Sequence, residues 1–318
     1  MNRFQALDSG PKLIFIRGVF LLFLFLSSCF PDPNREFGQV FGLIGFGNYS
    51  NQFFQISGRV TGLQGSGLRL RNFNGRLINN RITGGESSSA GALLIAIESI
   101  ASSNLDLFQN SIRSGRGTQN QQAVRLDSSS SQWSIQNNQI VANSNPNSVC
   151  LNIDSGSYSG RPTRNNNFSG CPGGQIRLLT QSFSLVPCFG QPVDGDMAAY
   201  SDPGCLAPLS TLIGAPVQGN ISVNPSFISA NPNGTQPTME WNLGIRSDGT
   251  APCVLTLGGR DLNLDAPPLP ALEAQIASID YFGLPRTNFD FTGLSGFPTG
   301  AAGFSLGAFE YDGGCVPP

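Results

Sequence analysis

Two repeats running in step predict an all-β fold: a single-stranded, right-handed parallel β-helix with a C-terminal capping module. The first repeat is an apolar-x-apolar pair, seen as Leu68-Arg69-Leu70, Ile95-Ala96-Ile97, Val124-Arg125-Leu126, Leu151-Asn152-Ile153 and Ile176-Arg177-Leu178. The last residues of successive pairs lie 27, 29, 27 and 25 positions apart. The second repeat is Asn/Gln-Asn-x-apolar, at 79–82, 109–112, 137–140 and 165–168, in steps of 30, 28 and 28. Composition is the third observation. Charged residues make up only 12% of the chain and glycines number 39 of 318, about half the usual share of charge. Short period-2 strands between Gly, Ser and Asn turns, recurring at one period, are the pattern of a parallel solenoid. A leucine-rich horseshoe is the rival, but it needs a fixed Leu spacing that this chain lacks.

The elements follow in chain order. Residues 1–28 read as an export signal. Arg3, Lys12 and Arg17 form a basic start, Gly18 to Leu26 an apolar run, and Leu26-Ser27-Ser28-Cys29 resembles a lipobox. The run is too short to span a bilayer, which takes about 20 apolar residues. Cleavage before Cys29 and acylation of its thiol would anchor the chain to an envelope membrane, the outer membrane being the expected one. An ordinary cleaved signal with an incidental cysteine is the competing reading. Residues 29–48 then form the lipidated cysteine and a tether, whose Phe37, Val40, Phe41, Leu43, Ile44 and Phe46 would cover the first rung.

The β-helix proper occupies residues 49–219. Leu70, Ile97, Leu126, Ile153 and Leu178 are expected to face inward as one column, and Asn152 to face water. Asn80, Asn110, Asn138 and Asn166 are expected to stack as a ladder at a bend, because Asn tolerates left-handed backbone and its amide bonds to the rungs above and below. Residues 180–219, rich in Pro and carrying Cys188 and Cys205, read as a loop-rich insertion.

Six cysteines follow Cys29: Cys150, Cys171, Cys188, Cys205, Cys253 and Cys315. An even number in an exported chain favours structural disulfides, with the pairing left open. The chain has no His, which removes the usual base of a thiol or serine nucleophile and makes a zinc site a poor expectation.

From about Asn220 to Pro318 four stretches stand out: Asn224-Pro225-Ser226-Phe227, Gly249-Thr250-Ala251-Pro252, Asp280-Tyr281-Phe282-Gly283-Leu284-Pro285-Arg286 and Leu306-Gly307-Ala308-Phe309-Glu310-Tyr311. In this order they resemble the C-terminal module of the choice-of-anchor Q family, whose solenoids are pectin-lyase-like. Ser305 stands where that family often has Asp. The resemblance implies an exported, surface-associated protein and no chemistry of its own. Asp280 to Arg286 and Glu310 are candidates for ion pairs that close the solenoid end, where strand edges would otherwise lie open.

Charge gives two expectations. A formal net charge of −2, with no Lys beyond Lys12, offers no footprint for nucleic acid. Between the inward pairs lie Arg69, Ala96, Arg125, Asn152 and Arg177; after each pair come Arg71, Glu98, Asp127, Asp154 and Leu179. These predict a basic stripe beside an acidic one. Arg125 as base with Asp127 and Asp154 would suit a polysaccharide lyase, with Ca²⁺ as its cofactor, and Asp127 with Asp154 would suit a glycoside hydrolase. Arginine is a poor base at its ordinary pKa, so the favoured reading is a non-catalytic envelope lipoprotein. It would offer its surface to a glycan or to a host or matrix surface, with no bound cofactor. Asp194-Gly195-Asp196 lacks the further ligands of a calcium loop and reads as a turn.

Overall fold

In the computed structural model, three parallel sheets wind into a β-solenoid, as the repeats predict. It describes short strands between residues 41 and 61 and most of residues 67–316. The principal gaps are 88–92, 101–103, 118–120, 128–131, 155–160, 186–194, 200–207, 231–234, 265–268, 287–295 and 311–314. Cys29, Cys188, Cys205 and the signal sequence fall outside the described residues.

Each coil of chain contributes one strand to each sheet. The third sheet stacks Leu68–Arg71, Ile95–Ile100, Gln122–Asp127, Val149–Ile153 and Ile176–Leu178. The second stacks Phe54–Ile56, Asn74–Ile78, Asn104–Phe108, Gln132–Gln136, Thr163–Arg164 and Val217–Gln218. The first stacks Gly58–Thr61, Arg81–Thr83, Ser111–Arg113, Gln139–Val141 and Asn167–Ser169. Leu77, Leu107, Ile135, Ile82, Ile112, Ile140 and Phe168 fill the interior with Val124, Leu151 and Ile153 as one continuous core. Stacked identical environments let every coil bury its apolar face on its neighbours.

The register differs from expectation at one coil. Leu68 and Val124 both pair with Ile97, while Leu70 and Leu126 pair with Ser99. The second column is therefore Leu70, Ser99, Leu126, Ile153 and Leu178, and Ile97 belongs to its neighbour. Ala96, expected outside, is fully buried in the core. The physical reason is charge: this slide places Glu98 between Arg69 and Arg125.

The asparagine ladder forms as expected and continues one step further, to Asn220. Each Oδ1 accepts both the backbone N–H and the Nδ2 of the Asn one rung earlier: Asn80 on Asn110, Asn110 on Asn138, Asn138 on Asn166 and Asn166 on Asn220, all at 2.9–3.1 Å. The left-handed residues, however, are the ones before the ladder. Asn79, Gln109, Asn137 and Asn165 have φ of 57°, 55°, 58° and 49°. Each takes the turn while its neighbour's amide points inward, so two adjacent positions divide the work assigned above to one.

Both ends are closed by antiparallel strands. At the start, Phe41–Gly42 and Gly45–Phe46 pair with Gly58–Thr61 and Phe54–Ile56, so part of the expected tether is strand. At the far end Gln181–Ser184 turns back on Ile176–Leu178 and is followed by Ala198–Ala199. Helix α1, Leu209–Ile213, adds Leu209 and Ile213 to the core beside Phe183 and Met197. The described part of the loop-rich insertion is thus the end plug.

Among the described residues two disulfides are formed, Cys150–Cys171 and Cys253–Cys315. Their separations of 21 and 62 residues correspond to about 3 and 4 kcal/mol in the loop-entropy account.

Candidate functional site

The charged face is one interlocked column rather than two stripes. On the outer side of the third sheet, Arg69 Nε lies 3.0 Å from Glu98 Oε2, and Arg125 Nη1 lies 3.6 Å from Glu98 Oε1. Arg125 Nε also donates to Asp154 Oδ2 at 2.8 Å. Asn152 Nδ2 donates to Asp154 Oδ1 at 2.7 Å, and Asn152 Oδ1 accepts from Arg177 Nε at 2.7 Å. Asn152 is only 1% exposed, which corrects its expected place in water. It sits in the middle of the column, between Arg125 and Arg177 in register, and their long side chains cover it. Asp127 pairs through its backbone with Ile100; its side chain lies outside the described residues.

This geometry fixes what the candidate residues do. Arg125 is bracketed by two carboxylates and serves as their counter-ion, and a guanidinium is in any case a poor base. Both oxygens of Asp154 already accept an N–H. Asp196, in the expected turn, has Oδ1 accepting from Met197 N at 2.7 Å and Ser210 N at 3.3 Å, while Oδ2 takes the Ser210 hydroxyl. Among the described residues no cluster of three His, Cys, Asp or Glu side chains is placed to hold a metal ion.

A second charged cluster was missed by the pair spacing. Asp106, 1% exposed, lies on the second sheet with Arg76 Nε at 2.9 Å and Arg161 Nη1 at 2.7 Å. Burial pushes its carboxyl pKa up, and the two guanidiniums oppose that rise. The Asn/Gln-Asn repeat contains the signal, because Arg76 and Asp106 each stand three residues before its first position, one step of 30 apart.

The third cluster brings the two most specific C-terminal stretches together. Arg286 is fully buried and every one of its donors is occupied. Nε donates to Ile279 O; Nη1 to Ser305 O and Glu310 Oε2; Nη2 to Gly307 O and Asn79 Oδ1, all at 2.9–3.2 Å. Asp280 Oδ1 accepts from the N–H groups of Phe282 and Leu284, and its Oδ2 from Glu310 N. Ser305 donates its hydroxyl to Thr256 O.

This clasp does not close the end of the stack; it fastens the C-terminal segment along a flank. The left-handed Asn residues serve as its hooks. Asn79 Nδ2 donates to Ile276 O and Ile279 O, Asn137 Nδ2 to Arg260 O, and Asn165 Nδ2 to Gly258 O and Thr299 O. Apolar packing follows the same line. Ile78 and Phe108 meet Leu262 and Ala277, with Ala277 in helix α2, Ala271–Ala277. Val141 meets Phe227, Trp241, Leu243, Ala308 and Phe309. The reason is that this outer flank is apolar, whereas the far end is already plugged.

Burial raises the Glu310 carboxyl to about 7, with Arg286 opposing. A carboxyl raised above its usual value stabilises the fold fully below about pH 4.5, and that contribution is lost as pH climbs through about 7. Arg286 is lowered by burial, and as a guanidinium it does not titrate in that window. The expected result is a melting temperature that falls between pH 5 and pH 8. Glu310→Gln, which cannot ionise, should show a flatter profile in thermal melts, and an identical slope would contradict the assignment.

No protein-family model, curated protein or solved structure matches the chain. Among the described residues no helix is long and apolar enough to cross a membrane.

Proposed function

We propose that the chain is an envelope lipoprotein of choice-of-anchor Q type. It is held through lipid on Cys29, in the outer membrane, and displays its solenoid surface for adhesion or glycan binding without catalysis. The observation that carries this reading is the charge-paired column, in which Arg125 is held by Glu98 and Asp154. A catalytic group is usually a perturbed residue in a groove, whereas Arg69, Glu98, Arg125 and Asp154 each meet an opposite charge one rung away. Meeting of the two C-terminal stretches in one clasp supports the module reading, since their residues serve docking rather than chemistry.

The test has two arms. Cys29→Ser should release the protein from the membrane fraction or leave the signal uncleaved. The purified mature chain should retain members of a glycan or matrix-protein array, yet release no unsaturated product from pectate or alginate with added Ca²⁺. Product formation abolished by Arg125→Ala with Asp127→Ala would establish a lyase instead.

A further inference from the structure

The turn Tyr281–Pro285 exposes apolar side chains where folding alone gives no reason to. Phe282 is 70% exposed and Leu284 57%. Among the described residues the Phe282 ring meets Tyr281 and Phe309, with ring centroids 5.3 and 5.4 Å away. The turn is nonetheless rigidly built. Asp280 Oδ1 holds both the Phe282 and Leu284 N–H groups, Gly283 supplies a φ of 82°, and Ile279 bridges to Pro285. Its base is fixed to the stack through Asn79, which holds Ile279 O and Arg286. A preformed turn that carries Phe and Leu at its tip, with its one carboxylate buried beneath, has the chemistry of an element that enters a lipid interface.

Its position in the fold names the occupant. Tyr281 lies under the guanidinium of Arg81, 5.8 Å from its ring centroid. Arg81 pairs with Arg59, and Arg59 with Phe41, in the first strand among the described residues. Two strand steps, about 10 Å, therefore separate Arg81 from the point where the N-terminal segment joins the stack. About 12 residues lie between Cys29 and Phe41, a reach of at most about 40 Å. The turn therefore lies toward the end of the solenoid at which the described chain enters. Helix α1, with Leu212 40% exposed, sits at the opposite end.

We propose that Phe282 and Leu284 form a second membrane contact, resting in the interfacial layer of the bilayer that holds the N-terminus and setting the solenoid's orientation to it. This rests on the lipoprotein reading. A lipid chain holds the protein near the membrane but leaves its orientation free, and a rigid apolar tip as a second point of contact removes that freedom.

The experiment separates the two claims. The chain from Cys29 onward, with an N-terminal hexahistidine, is held on phosphatidylethanolamine–phosphatidylglycerol vesicles by nickel-chelating lipid, so attachment no longer depends on acylation. Acylation itself is read separately, from the mass of the Cys29 peptide in cells. Trp133 and Trp241 are both buried, so a new tryptophan reports on its own site. With brominated acyl chains, Phe282→Trp should lose about half of its added emission, as expected for a ring within 5–10 Å of the acyl boundary. Leu212→Trp should lose none. Equal quenching at both positions, or none at residue 282, would overturn the proposal. So would a concentration-dependent dimer abolished by Phe282→Glu, which would make a second copy the occupant.

Discussion

Arg286→Ala is expected to destabilise the protein by about 3–5 kcal/mol and to free the C-terminal segment from the solenoid flank. Removing one member of a buried ion pair leaves the other charge uncompensated, which is where losses of that size arise. Glu310 would lose its cation, the Ser305 and Gly307 carbonyls and Asn79 Oδ1 would lose the Arg286 donors, and Ile279 O would keep only Asn79 Nδ2 of its two side-chain donors. Lysine is no substitute, because a single ammonium cannot span acceptors on Ile279, Ser305, Gly307, Glu310 and Asn79. Adding Glu310→Gln to Arg286→Ala should recover part of the loss in alkaline buffer, where the carboxyl would ionise without its cation, and little of it at pH 5, where burial keeps it protonated. Urea melts of the two single variants and the double variant measure this directly, and a loss under about 1 kcal/mol would mean the clasp is peripheral.

The second large effect is expected at Ile153. Its side chain stacks between Leu126 and Leu178 in the buried column. Ile153→Asp should cost several kcal/mol, comparable with the stability of a whole domain, and leave little folded protein. Its neighbour supplies the contrast. Asn152→Asp keeps the acceptor for Arg177 but replaces the donor that faces Asp154 with a second carboxylate. A smaller loss of about 1–2 kcal/mol is expected, the cost of one lost hydrogen bond plus repulsion. Equal melting temperatures for the two variants would reject the inward and outward assignment.

The stacking period was legible because it is written twice, once in the apolar pairs and once in the asparagines. Where the two disagreed, the asparagines gave the better register. The step of 30 from Asn80 to Asn110 also aligns Arg76 with Asp106, whereas the apolar pairs misplaced Ile97 by one column. Apolar residues fit either of two neighbouring inward sites nearly as well, so their pattern tolerates a slip. A ladder amide does not, since its donor and acceptor must meet the next rung within hydrogen-bond distance. Asn152 was misread because period-2 alternation gives the direction of a side chain but not what lies over it, and here two arginines do. The role of Asn79, Asn137 and Asn165 as hooks was beyond the sequence for a related reason. Their left-handed turns are local, but their partners lie some 90 to 200 residues away. The clasp was half legible: both stretches were singled out and their ion pair expected, yet nothing local says which surface they dock on.

The central claim is that the C-terminal segment is a separate layer, fastened by Arg286 to a solenoid that the asparagine ladder holds on its own. Amide hydrogen exchange on Arg286→Ala tests it most directly. The account predicts fast exchange at Tyr281, Leu306 and Ala308, while Asn110, Asn138 and Asn166 keep the protection they have in the unaltered protein. Loss of protection at the ladder amides in step with the C-terminal ones would show a single cooperative unit and contradict it.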